Sequence, residues 1–129
     1  MPFIELVALL AVLQFMIFGM LVGVQRGASG LDAPKMTGHD GFERMNRVHM
    51  NTLECLVPFL PALFIAGAYW NAAFVALVGV VYLIGRVVYW RSYMVNPANR
   101  TIGFMMSFFP TVVLILLGLS GAVMAAFAS

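Results

Sequence analysis

The residues that could do chemistry in this chain are concentrated in two short stretches. In "GFERMNRVHMNTLECLVPFLPALFIAG" (residues 41–67) Arg44, Arg47, His49, Asn51 and Glu54 stand at the head of an otherwise apolar run. On a helix advancing about 100° per residue, Arg47, Asn51 and Glu54 fall at i, i+4 and i+7 and share one face, and Arg44 extends that stripe one turn outward. Arginine and asparagine in such a stripe can bind an anion, whereas a carboxylate asks for a cation. In "GRVVYWRSYMVNPANR" (85–100), Arg86, Tyr89 and Tyr93 fall at i, i+3 and i+7, and Arg91 points to a different side. An arginine beneath two phenols on one face describes a hydrated, anion-binding pocket. A plainer reading makes the tyrosines interfacial anchors.

The elements that must carry these stripes are membrane-spanning. Of the 129 residues 63% are hydrophobic and 9% charged. The mean hydropathy is +0.98, so the chain is read as an integral membrane protein of one domain, residues 1–129. Four apolar blocks follow, about Phe3–Val24, Asn46–Tyr69, Ala72–Tyr93 and Thr101–Phe127, each near the roughly 20 residues a bilayer-crossing helix needs. With their flanks they predict helices over about 3–26, 42–69, 72–95 and 100–127, an all-α, up-down four-helix bundle. The first block lacks a basic n-region and a small-residue cleavage site, and reads as a retained helix rather than a signal peptide.

Three connections separate the blocks. "GASGLDAPKMTGHDG" (27–41) is a Gly/Pro/Asp-rich loop, "YWNAA" a tight turn with interfacial aromatics, and "MVNPANRT" a break imposed by Pro97. All seven basic residues lie between Arg26 and Arg100, in or beside the first and third connections. The positive-inside rule then places those connections in the cytoplasm and both termini outside.

An ionisable group at the centre of a spanning helix costs at least about 2.5–3.5 kcal/mol, so it normally faces a bundle interior or a watery cavity and has a partner. Arg47 could meet that demand by pairing with Glu54 along its own helix. Glu54 is about two turns deeper and too short to snorkel far, so it requires a cation. Arg26 at the end of the first helix, Arg47, Arg86 and Arg100 converge at one membrane surface with Asn51, Tyr89 and Tyr93 as neutral donors. Such a set fits a small polyanion. The single cysteine, Cys55, excludes an intrachain disulfide and reads as a packing residue.

"FERMNRVHMNTLE", "GRVVYWRSY" and the later "NR" together resemble the MAPEG family, the membrane-associated proteins in eicosanoid and glutathione metabolism. The resemblance spans roughly residues 20–105. It implies a homotrimer of four-helix bundles with glutathione, as co-substrate, held between adjacent subunits near the cytoplasmic face. Carried over by position, Arg47, Asn51 and Glu54 would come from one subunit, with Glu54 on the tripeptide's amine. Arg26, Tyr89, Tyr93 and Arg100 would come from its neighbour, Arg86 would lie at the base, and His49 would add a polar contact unless it merely bonds a neighbouring helix. Arg100 resembles the arginine that activates the thiol: its permanent charge stabilises thiolate, the nucleophile. Two departures stand out. Cys55 replaces a tyrosine found in several relatives, and Gly27 replaces the second arginine of the leukotriene-forming branch.

The function implied is a glutathione-dependent membrane transferase that conjugates a lipophilic electrophile arriving from lipid, with reduction of lipid hydroperoxides beside it and a detoxifying role. The alternative within the family is a non-catalytic lipid-binding scaffold of the lipoxygenase-activating type. A small channel ranks last, because the outer half of every helix is apolar and leaves no continuous polar path. No metal and no nucleic-acid partner are expected, and a multi-pass protein of a bacterial inner membrane is.

Overall fold

A computed structural model describes residues 1–30 and 37–128. Residues 31–36 of the first connection, Lys35 among them, lie outside the described residues. Among the described residues the fold is made of four long helices: α1 (Pro2–Ser29), α2 (Asp40–Tyr69), α3 (Ala72–Val95) and α4 (Thr101–Ala128). A single 3-10 turn, Pro97–Asn99, joins α3 to α4. Each helix is long and apolar enough to cross a membrane, and the chain is an integral, multi-pass membrane protein.

Local chemistry sets the helix ends. Pro2 sits at the first position of α1, where its missing N–H costs nothing, and Gly30 ends the helix at φ 75°, a left-handed conformation suited to glycine. This stop lies beyond the Arg26 end that the apolar pattern predicts, so Arg26 is in the last turn rather than at the terminus. At the start of α2, His39 Nδ1 accepts from Phe42 N at 3.1 Å. The Glu43 carboxylate accepts from Gly38 N at 3.0 Å. This reciprocal cap satisfies two backbone donors and starts the helix at Asp40, two residues before the predicted position. Asn71 caps α3 by accepting from Phe74 N at 3.0 Å, which makes the α2–α3 connection the expected tight turn. At the other end Pro97 cannot continue α3. Arg44 of α2 donates to the carbonyls of Met94 (2.9 Å) and Val95 (3.2 Å), placing a cation at the negative end of the α3 dipole.

Helix α1 packs on α2 and α3, and α4 packs on the opposite side of the same pair. A first core cluster includes Ile4, Leu63, Ala66, Val75 and Leu114 around Phe59 and Tyr82, whose rings stack at 3.8 Å. A second, nearer the arginine-rich end, joins Phe18, Met45, Val48 and Tyr89. The outward faces are covered by exposed apolar side chains such as Leu9, Met20, Leu77 and Phe127, as lipid contact requires.

Close helix approach in a bilayer depends on small residues, because lipid offers no hydrophobic drive between helices. Gly103 is the sharpest instance: a Cβ there would collide with the backbone N and Cα of Tyr89. Gly85 repeats the arrangement one turn away, its virtual Cβ 2.7 Å from the Met106 carbonyl carbon. These two glycines clamp α4 onto α3 at the level of Arg86 and Tyr89. Gly103→Val is expected to destabilise the chain by about 1–3 kcal/mol, as overpacking generally does. Thermal melting in detergent measures it, and an unchanged midpoint would show that the contact is not tight.

Candidate glutathione site

Arg86 organises the site. It sits mid-bundle on α3, is 0% exposed, and reaches side chains on both α2 and α4. Its Nη2 donates to Asn51 Oδ1 at 2.8 Å and to Thr52 Oγ1 at 3.2 Å. Its Nη1 donates to Cys55 Sγ at 3.2 Å and to Ser107 Oγ at 3.3 Å. All four acceptors are uncharged. The hydroxyls can accept because their own protons are already used: Thr52 donates to Val48 O at 2.7 Å and Ser107 to Gly103 O at 2.9 Å. Cys55 Sγ faces Asn51 Oδ1 at 3.7 Å as donor and receives from Arg86. The guanidinium carbon lies 4.4 Å from the centre of the Tyr89 ring, whose π-face adds electrostatic compensation. Among the described residues Arg86 Nε has no hydrogen-bond partner. A buried cation is thus held by dipoles and one aromatic face, with only part of its hydrogen-bonding capacity used inside the chain.

Around this anchor the two sequence stripes meet. Tyr89 is buried, and Tyr93 stacks on it at 5.5 Å with planes 16° apart. Arg47 and Arg100, both exposed, lie within electrostatic reach of the Tyr89 phenol. Arg100 donates to Pro97 O at 3.1 Å, so the turn made by Pro97 positions this side chain at the helix junction. Asn51, Arg47, Tyr89, Tyr93 and Arg100 are therefore gathered by one chain.

Glu54 is exposed and, among the described residues, forms no hydrogen bond or ion pair. An Arg47–Glu54 pair along α2 is not formed. Glu54 instead lines, with Asn51, Cys55 and Ser107, the polar end of a cavity of about 380 Å³ between α2 and α4. Pro58, Phe104, Phe108 and Ile115 make the rest of that cavity apolar.

Two of the expected site residues turn elsewhere. His49 stacks on Phe15 of α1 at 4.5 Å and lies against Gly19, on the α1 side of α2. Arg26 places its guanidinium 4.5 Å from the centre of the Phe42 ring. Both belong to the α1/α2 side of the bundle and not to the Arg86 cluster of the same chain. Arg44, the outward extension of the stripe, is engaged in capping α3. Sequence reasoning missed Thr52 and Ser107 as ligands of Arg86. The available signal was Ser107 itself, a lone hydroxyl in "FMMSFFP".

A four-helix membrane bundle with a buried arginine joining three helices, two stacked tyrosines and exposed arginines at one end defines a recognisable class. The chain belongs to the MAPEG family, whose model matches residues 4–120. It is 34% identical over 110 residues to an uncharacterized protein of Synechocystis, covering 85% of this chain and 80% of that one. It is also 34% identical over 115 residues to human microsomal glutathione S-transferase 2, covering 89% of this chain and 78% of the relative. Bovine leukotriene C4 synthase is 35% identical over 94 residues, which is 73% of this chain and 63% of that enzyme.

Proposed function

We propose that this protein is a glutathione-dependent transferase that joins the glutathione sulfur to a lipophilic electrophile within the membrane. The observation that carries this reading is the meeting of Asn51, Tyr89, Tyr93, Arg47 and Arg100 in one chain beside a cavity whose polar rim holds Glu54, which has no ion-pair partner among the described residues. Glutathione has two carboxylates, an amine and a thiol, and this set offers arginines, a carboxylate and neutral donors to match. Its relatedness to a protein named as a microsomal glutathione S-transferase supports the same chemistry.

In this reading Arg47 meets a glutathione carboxylate and Glu54 the amine, while Tyr89 and Tyr93 contribute phenols. Arg86 is a positioning residue: it fixes Asn51 and the Tyr89 ring from behind. Arg100 holds the sulfur as thiolate, which attacks the electrophilic carbon as the leaving group departs with its electron pair. The apolar part of the co-substrate occupies the α2/α4 cavity along Phe104 and Phe108, entering from lipid. The same thiolate can attack the terminal oxygen of a lipid hydroperoxide, breaking the O–O bond and releasing the alcohol, and a second glutathione then displaces hydroxide from the sulfenic acid to give glutathione disulfide and water.

A homotrimer supplies what the single chain leaves on its other side. Arg26 and His49 face away from the Arg86 cluster of their own chain, so a neighbour's α1/α2 face is the natural source of these contacts. The arginine-rich end is assigned to the cytoplasm, where the loops carrying the positive charge belong.

Purified protein in detergent, mixed with glutathione and chlorodinitrobenzene, is expected to form the conjugate in proportion to protein concentration. A rate no higher than that of the uncatalysed reaction across a panel of electrophiles and hydroperoxides favours the lipid-binding scaffold reading instead.

A further inference from the structure

Between α1 and α3, outside the α2/α4 cavity, two further cavities share Trp90 as a common wall. The larger of the two, about 520 Å³, lies between Leu10, Leu13 and Ile17 of α1 and Ile84 and Val87 of α3. Gln14 ties the two helices there, donating to Leu83 O at 2.9 Å. The second, about 410 Å³, continues toward the arginine-rich end past Leu21 and Gln25 and is bordered by Arg91. From Leu10 to Gln25 the two cavities, which meet at Trp90, together flank α1 over roughly 22 Å at about 1.5 Å per residue and form one groove. One leaflet of a hydrocarbon core is roughly 15 Å deep. The channel therefore has the reach to run from near the bilayer midplane into the headgroup region.

Arg91 stands at its wet end. Its guanidinium lies 5.2 Å from the centre of the Trp90 ring. Among the described residues it makes no hydrogen bond or ion pair, and it is exposed. The proposed glutathione site does not use it. A groove that is apolar over its stretch from Leu10 to Val87, turns polar past Gln25 and ends at an arginine without a hydrogen-bond or ion-pair partner among the described residues is complementary to a molecule with one long apolar chain and one anionic head.

We infer that this α1/α3 channel holds an anionic phospholipid, its phosphate on Arg91 and an acyl chain laid past Trp90 toward Leu10. Charge complementarity selects an anionic lipid over a zwitterionic one, because a phosphate with no cation of its own gains the full interaction with Arg91. The inference does not depend on glutathione binding.

The chain has two tryptophans, so Trp70→Phe leaves Trp90 as the sole reporter. The full chain is reconstituted in phosphatidylcholine vesicles containing brominated phosphatidylglycerol or, separately, brominated phosphatidylcholine. The anionic lipid should quench Trp90 with roughly fivefold stronger association, the scale set by one arginine at a membrane surface. Arg91→Gln should bring the two lipids to parity. Equal quenching in the unsubstituted background, a preference that survives Arg91→Gln, or no quenching by either lipid because a second copy covers the channel would each overturn the inference. Trp70 Nε1 donates to Leu117 O at 2.7 Å, so its replacement could loosen the fold. Native mass spectrometry of the Trp70-containing chain with both lipids at equal concentration keeps the test independent of it. Preferential retention of phosphatidylglycerol supports the inference, and equal retention overturns it.

Discussion

Arg86→Ala is expected to destabilise the chain by about 3–5 kcal/mol, the range seen when a large buried group is removed or one side of a buried charged network is broken. Three losses combine. Asn51, Thr52, Ser107 and Cys55 lose their shared donor, which ties α2 and α4 to α3. The Tyr89 ring loses the cation stacked on it. The space left behind lies where Gly85 and Gly103 hold α4 tightly against α3, so the helices cannot close over it freely. Arg86→Met should recover part of the loss by filling volume without a buried charge. Arg86→Lys keeps the charge but replaces a planar fork with a single ammonium, and cannot reach both helices in the same geometry. Melting in detergent ranks the variants, with the unsubstituted chain highest and alanine lowest. An alanine variant that melts with the unsubstituted protein would remove Arg86 from the centre of the fold.

Arg100→Ala should leave the bundle folded and slow conjugation at neutral pH by about tenfold. Arg100 is exposed and donates to the Pro97 carbonyl, so little packing is lost. The kinetic effect follows from the sign of its charge. A guanidinium beside the sulfur favours thiolate and lowers the thiol pKa from about 8.5 toward 7, which raises the thiolate fraction at neutral pH by roughly tenfold. Removing the arginine returns the thiol to its higher pKa. The deficit should therefore be large at neutral pH and shrink as pH rises through the range of the free thiol. The pH dependence of the conjugation rate in the two proteins reads this directly. A constant ratio at every pH would assign Arg100 to binding rather than to thiolate stabilisation.

Much of this architecture is legible in the residues because helix geometry and membrane thickness are local constraints. Four apolar blocks separated by Gly, Pro and charged connections can hardly be anything but four spans, and the fixed φ of Pro97 ends α3 wherever the rest of the chain goes. The Arg47-Asn51-Glu54 and Arg86-Tyr89-Tyr93 stripes are legible for the same reason: they follow from 3.6 residues per turn. What is not local is which stripe meets which. That Asn51 and Arg86 touch within one chain depends on how α2 and α3 rotate about their axes, and the glycines at 85 and 103 fix the neighbouring α3/α4 contact. Arg44 and His49 show the limit from the other side. They share a segment with the site residues, yet one caps α3 and the other stacks on Phe15, outcomes decided by the neighbouring helices.

Cys55 gains a sharper meaning from its contacts. At this position stands a thiol that accepts from Arg86 and lines the α2/α4 cavity. A small residue there leaves room at the junction between the polar rim and the apolar part of the cavity, where glutathione sulfur and electrophile would meet.

The central claim is that the cluster around Arg86 is a glutathione site, and calorimetric titration of the purified, detergent-solubilised protein with glutathione tests it most directly. Saturable binding is predicted, weakened at least tenfold by Arg47→Ala and by Glu54→Gln while both variants keep the melting temperature of the unsubstituted chain. Absence of binding heat at several temperatures, or affinity indifferent to both substitutions, would contradict it.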